Sequence, residues 1–206
     1  MKKTFIVLSF ALLALSLHAQ TGIRAGMNIA SQSLHSNIFN YNNKQSAGFQ
    51  AGLVYQHMPK QTGFGLESGL LFSRKGGRFE YYDTDALYKG SNELDYLEIP
   101  LNLRYRLTVG PVGLYAYAGL YGAYLLQAKS TTEGDIEEPK LELNKFADRA
   151  DYGYTVGTGV ELLRKVQLGI NWNGGLKDIA SVYGQTPLHI ASGKNKVFSV
   201  NVVLLF

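Results

Sequence analysis

From Thr21 onward, apolar and polar residues alternate with a period of two in seven separate runs. Thr21–Ala30 sets Ile23, Ala25, Met27 and Ile29 against Gly22, Arg24, Gly26 and Asn28. Gly48–His57 sets Phe49, Ala51, Leu53 and Tyr55 against Gly48, Gln50, Gly52 and Gln56. Gly63–Arg74 alternates Phe64, Leu66, Leu70 and Phe72 with Gly63, Gly65, Glu67 and Gly69. Leu97–Leu107 is the cleanest run, its odd positions apolar and its even ones Glu98, Pro100, Asn102, Arg104 and Arg106. Tyr152–Leu162, Val166–Asn173 and Lys196–Phe206 repeat the scheme. Such alternation predicts strands with one apolar and one polar face.

Leu107–Ala128 contains 22 residues and no charge, so hydropathy alone would admit a membrane helix. Its interior is rich in Gly and Tyr, which favour a strand over a helix. The expectation is therefore a strand over Val112–Leu126, with Leu114, Ala116, Ala118 and Leu120 outward and Tyr115, Tyr117 and Tyr121 inward. The links alternate in length: long near 31–46, 75–94, 128–150 and 177–194, short near 59–62, 108–111 and 163–165. Long loops at one end and tight turns at the other predict an all-β fold, an eight-stranded up-and-down antiparallel transmembrane β-barrel. Pro59 and Gly110-Pro111 supply turn chemistry.

Periodicity does not say which face meets solvent, because soluble and membrane barrels both alternate. Three features point to an apolar exterior. The polar face is filled with Gly and amides, suited to a narrow tube. The apolar face is aromatic at both ends, with Phe49, Phe72, Tyr152, Tyr154, Trp172 and Phe198 toward the long loops and Tyr55, Phe64, Tyr105 and Phe206 toward the short turns. Two such girdles match the two interfaces of a bilayer. The last residue, Phe206, is in phase with that face.

The first residues describe a route. Lys2 and Lys3 precede an apolar run from Phe5 to Leu17, and Ala19 stands in the small position before a cleavage point. Residues 1–19 are expected to be a secretory signal peptide, leaving 20–206 as one barrel domain delivered to the outer membrane of a Gram-negative bacterium. Removing two lysines takes the formal charge from +4 to +2. No cysteine is present, which excludes disulfide frameworks, thiolate metal sites and thiol catalysis. The charged fraction is 17% with little basic excess, which disfavours nucleic-acid binding.

The segment Leu94-Asp95-Tyr96-Leu97-Glu98-Ile99-Pro100-Leu101, the strand Gly153-x-x-x-Gly157-x-Gly159-x-Glu161 and terminal Phe206 resemble the PorT-like, "porin family" outer-membrane β-barrel proteins, with an OmpA-like eight-stranded barrel. The resemblance implies that the barrel-assembly machinery reads the C-terminal strand through Phe206. It also implies a role alongside secretion-apparatus proteins, since one member of that group belongs to a secretion and gliding machine. Eight strands enclose a space that side chains fill, unlike the wider water-filled porins.

Arg24, Glu67, Glu98, Arg104, Arg106 and Glu161 fall on the lumen face. They would form either a gated ion path or a self-neutralising network, the second being favoured because a buried charge is costly unless paired. Ser68 faces lipid with His57 on the neighbouring strand, a pair that would suit a lipid-modifying enzyme. Pairing through a 59–62 turn sets His57 opposite residue 64, ~13 Å from Ser68 and out of reach. His35 and His189 lie in long links. Glu133, Asp135, Glu137, Glu138 and Glu142 make an acidic loop without EF-hand spacing. The glycine strand lacks the Lys-Ser/Thr of a phosphate loop. Neither metal nor cofactor is expected, and no catalytic residue. Arg74, Lys75, Arg78, Lys177, Lys194 and Lys196 near the long-loop rim would either hold phosphates of outer-membrane lipid and lipopolysaccharide or simply solubilise the loops. The rival classes are a secreted lipocalin-like barrel with its apolar face inward, binding a small apolar ligand, and an outer-membrane lipid-modifying enzyme.

Overall fold

A computed structural model describes residues 19–36, 42–59, 63–83, 86–132, 149–178 and 190–206. The strands are β1 (Ala19–Ser36), β2 (Asn42–Lys44), β3 (Ser46–His57), β4 (Phe64–Asp83), β5 (Ala86–Val109), β6 (Val112–Thr132), β7 (Ala150–Leu162), β8 (Val166–Gly175) and β9 (Ile190–Leu205). They form one sheet in the order β2-β4-β3-β1-β9-β8-β7-β6-β5, and the pairing of β4 with β5 closes it. Short β2 is an extra piece that pairs with β4 at Asn42↔Glu80, past the end of the β3–β4 ladder at Gln50↔Ser73. The other eight are staves, each antiparallel to two neighbours, so the barrel has no free edge in its wall.

The polarity is inverted relative to a soluble protein. Leu53, Leu101, Leu103, Leu114, Leu120, Val200 and Leu204 are exposed, while Arg24, Gln56, Glu67, Arg104 and Gln167 are buried. In water an apolar belt of this extent would be aggregation-prone; in hydrocarbon it is the required exterior. A lipocalin-like barrel would need the reverse arrangement, with its apolar face turned in. Among the described residues no helix is long and apolar enough to cross a membrane. The uncharged Leu107–Ala128 stretch is instead the end of β5 and most of β6. Tyr115, Tyr117 and Tyr121 point inward there, and Leu114 and Leu120 outward.

Two tight turns lie at the end shared by both termini of the sheet. Val109↔Val112 closes over Gly110-Pro111, with Gly110 at φ 62°, as a two-residue turn beginning on glycine requires. The β7–β8 turn is less ordinary. Leu163 and Arg164 take φ values of 52° and 57°, and Lys165 N donates to Leu162 O at 3.0 Å. Two side-chain-bearing residues in the left-handed region are strained. Hydrogen bonds hold them there: Leu163 N donates to Pro111 O at 2.8 Å, and Leu205 N donates to Lys165 O at 2.7 Å.

The opposite end departs from expectation. Residues 75–94 were expected as a loop, yet β4 and β5 stay paired to Asp83↔Ala86, forming a two-stranded stem beyond the girdle. Residues 31–36 likewise keep pairing with β9, from Ser31↔Lys196 to Ser36↔Ile190, and β6 extends to Thr132. Alternation marks a strand only where its two faces meet different media. Beyond the bilayer both faces meet water, and the ladder continues without the pattern.

Candidate functional site

The lumen brings together all six charges predicted for it. Glu67, on β4, is fully buried and accepts four hydrogen bonds. Arg24 on β1 donates to Oε1 at 2.8 Å, and Asn102 on β5 donates to the same oxygen at 3.2 Å. Arg104 donates to Oε2 at 2.5 Å and Gln56 on β3 at 2.8 Å. Gln56 and Gln167 exchange a reciprocal amide pair at 3.0 Å across the lumen, from β3 to β8. Gln167 passes the chain on to Glu161 at 2.7 Å, and Arg106 closes it at 2.8 Å. The Arg104 guanidinium also stacks 3.7 Å from the centre of the Tyr115 ring.

A second cluster sits toward the stem. Glu98 is paired not with an arginine but with Lys75, whose Nζ stands 2.7 Å from Oε2, off hydrogen-bond alignment. Asn173 donates to the other Glu98 oxygen at 3.2 Å, and Asn195 donates to Asp151 at 3.1 Å. Lys75 Nζ lies 4.3 Å from the Tyr121 ring centre, a cation–π contact inside the tube. Lys75 was expected at the rim as a lipopolysaccharide contact; it is 2% exposed and points into the lumen. Continuing the inward positions Glu67, Leu71 and Ser73 by one more step reaches Lys75, and the same step back from Gly153 reaches Asp151. Neither is legible from alternation, which stops at Arg74 and begins at Tyr152, one residue short of each. Among the described residues the lumen thus holds Arg24, Lys75, Arg104 and Arg106 against Glu67, Glu98, Asp151 and Glu161, four charges of each sign.

The glycine strand has a packing explanation. Gly153, Gly157 and Gly159 stand directly opposite Tyr121, Tyr117 and Tyr115. A Cβ on any of the three would meet its tyrosine, so each tyrosine occupies the space a side chain would take. Val54, Leu71, Val203 and Leu205 form a small apolar cluster inside the barrel.

The girdle residues are on the outer face. Phe49 and Phe72 have ring centres 5.5 Å apart, and Tyr154 meets Trp172 edge-on at 5.8 Å on the stem side. Phe64 and Tyr105 pair at 4.6 Å on the turn side. Tyr55 lies on the same outer face, and Tyr152, Phe198 and Phe206 are exposed there. Of the basic rim residues, Arg74 is held by Asp95, Nε to Oδ1 at 2.7 Å, and lies over the Phe49 ring. Lys177 donates to Ala150 O at 2.6 Å. Arg78, Lys194 and Lys196 are exposed.

The Ser68–His57 pair takes a different register from the expected one. His57 stands opposite Leu66, and Ser68 opposite Tyr55. Phe64 and Gly65 pair only with β5, because Met58 folds in beneath Gly65 and lengthens the turn. The Ser68 hydroxyl donates to Pro100 O at 2.8 Å, at the point where the β4–β5 ladder is interrupted beside that proline. Among the described residues no hydrogen bond links the Ser68 hydroxyl to the His57 imidazole. Residues 1–18, His189 and the acidic residues Glu133, Asp135, Glu137, Glu138 and Glu142 lie outside the described residues, as does the His35 side chain.

A closed antiparallel barrel with an apolar exterior, two aromatic girdles and a charge-paired interior is an integral membrane barrel. The chain belongs to the family described as "Outer membrane protein beta-barrel domain", whose family model matches residues 14–181, and its place is the outer membrane of a Gram-negative bacterium. Solved structures with a similar course include Ail, the attachment invasion locus protein of Yersinia pestis (14% identity, 92% of this chain and 100% of that one, TM-score 0.46). OprG from Pseudomonas aeruginosa aligns at 13% identity over 91% of this chain and 96% of its own, with a TM-score of 0.49. Neisserial surface protein A aligns at 15% identity over 91% and 99%, with a TM-score of 0.45. Among curated proteins no sequence matches the chain.

Proposed function

We propose that the protein is a closed, non-catalytic scaffold of the outer membrane, which acts through what its stem and rims hold rather than through what its lumen passes. The paired lumen supports this reading: two clusters of ion pairs and amides, one reaching from Arg106 to Arg24 and one around Lys75 and Glu98, with apolar Val54, Leu71, Val203 and Leu205, lie where a conducting path would run. Conductance of the refolded protein in planar bilayers tests it. The expected record shows no steady opening, and a large, stable conductance overturns the proposal. A lipase and deacylase assay covers the catalytic alternative: turnover that disappears in Ser68→Ala would refute the non-enzymatic reading.

The β4–β5 stem is the natural docking element, since it extends nine residues past Arg74 to Asp83, ~30 Å at ~3.3 Å per residue. The resemblance to PorT-like proteins supports a partner in a protein-secretion apparatus. Phe206, exposed and in phase with the outer face, supports recognition by the barrel-assembly machinery. Crosslinking in intact outer membranes, with a photoreactive residue at position 81, followed by identification of the captured chain, checks the stem. Capture of a secretion component is expected, and labelling of lipid alone refutes a protein partner there.

A further inference from the structure

Two contiguous furrows run along the outer wall where β6, β7, β8 and β9 adjoin. One, of about 440 Å³, is lined by Ala116, Val156, Thr158, Ile170, Trp172 and Phe198. The next, of about 510 Å³, continues toward the turns past Leu114, Val160, Leu168 and Val202, and the two share Thr158 and Ile170. Both are shallow and open to the lipid along their length, and their course has a sequence cause. Ala116 faces Thr158 and Ala118 faces Val156 in the ladder, so short side chains form a floor between the Trp172–Phe198 ridge and Leu114. The Thr158 hydroxyl is turned away from the furrow, donating to Tyr115 O at 2.8 Å, so the floor is apolar.

The head of the same furrow is cationic. On β9 the outward positions above Phe198 are Lys196 and Lys194, both exposed. Lys196 is flanked in register by Gly174 on one side and Ser31 on the other, and Lys194 pairs with Ser33. Neither lysine forms an ion pair among the described residues, in contrast to Arg74, which is held by Asp95. One strand step of two residues, ~7 Å, separates Lys196 from the aromatic ridge, and two further steps, ~13 Å, cover the furrow. An ammonium pair above aromatic rings, opening onto an apolar slot, has the layout of a phosphorylated acyl lipid seen from the side.

We propose that this sector is a binding site for one phosphorylated, acylated lipid of the outer leaflet, of the lipid A class. Lys194 and Lys196 hold its phosphate, Trp172 and Phe198 flank the head–chain junction, and one acyl chain lies over Thr158 and Ala116. Thr158 and Ile170 join the two furrows, so a bulky residue at position 158 blocks the slot without touching the lysines.

Native mass spectrometry of the detergent-solubilised full chain, titrated with bis-phosphorylated lipid A, tests the site. The expected result is a one-to-one complex, weakened roughly twenty-fivefold by Lys194→Ala/Lys196→Ala, at about fivefold per lysine. Thr158→Phe should weaken it comparably, with the phosphate site intact, and phosphatidylethanolamine should bind far more weakly than lipid A. Heat-dependent gel migration verifies that each variant is folded, and Thr158→Leu replaces Thr158→Phe if the larger residue prevents assembly. Unchanged affinity in the double lysine variant, or equal binding of phosphatidylethanolamine, overturns the proposal. A photoreactive residue at position 158 should label lipid; labelling of a second copy of this chain overturns it as well.

Discussion

Replacing Glu67 by Gln keeps the shape of the lumen and removes its central anion. Arg24 and Arg104 then face each other across a neutral amide, with side-chain exposures of 5% and 1%. The amide supplies one acceptor oxygen where four donors converge, so hydrogen bonds are lost together with the charge. Removing one partner of a buried ion pair costs ~3–5 kcal/mol, because the other charge stays buried and uncompensated. Here two cations lose their partner, which places E67Q at the upper part of that range. Trp172 is the single tryptophan and lies in the stem-side girdle, so its fluorescence reports the folded barrel in lipid vesicles during urea titration. With the slope of the transition unchanged, the midpoint gives the loss directly. The triple change Arg24→Met, Glu67→Leu, Arg104→Met removes all three charges and should recover most of that loss, since apolar replacement of a buried ionic cluster is often near neutral. A loss below ~1 kcal/mol in E67Q is the size of an exposed salt bridge and would refute the account of a buried, tightly paired lumen.

Gly157→Ala should cost ~1–3 kcal/mol, because the added Cβ meets the Tyr117 ring; Tyr117→Leu in the same chain should cost less than the two changes summed, as a double-mutant cycle would show. Leu163→Asn with Arg164→Gly fits the left-handed β7–β8 turn and should stabilise the barrel by ~1–2 kcal/mol, read as a higher urea midpoint. Leu101→Arg on the lipid face should cost ~2–4 kcal/mol in vesicles; a negligible shift would contradict its placement in hydrocarbon. Replacing residues 77–92 with a two-residue turn should leave heat-dependent gel migration intact, because the stave register ends before that stem.

The alternation that made the wall legible comes from two media. Leu97 through Leu107 is readable residue by residue, and so are the six charges facing the other way. The same signal fades at the rim, where Lys75 enters the lumen and Arg74, its neighbour, turns out to Asp95. A basic pair near a loop reads as solvated whichever way each side chain points. Register across the β3–β4 turn was equally hidden, because it depends on Met58 folding inward under Gly65, a packing detail with no periodicity. The tyrosine–glycine facings were present in both strands, but only the ladder sets Tyr117 opposite Gly157. The lipid furrow is harder still to read, since its floor and its lysines come from four strands.

The stem and the lumen column share their supports. β4 and β5 rise from the wall as the two arms of the stem, and between them they carry Glu67, Lys75, Glu98, Arg104 and Arg106, five of the eight lumen charges among the described residues. From those five, bonds reach β1, β7 and β8 across the tube, through Arg24, Glu161 and Asn173. Mechanically the column is a set of spokes, and the two arms are fixed to its hub. A pull on the stem's tip is therefore passed through those bonds into β1, β7 and β8 as well as along the β4–β5 ladder, as a mooring post spreads its load into the deck.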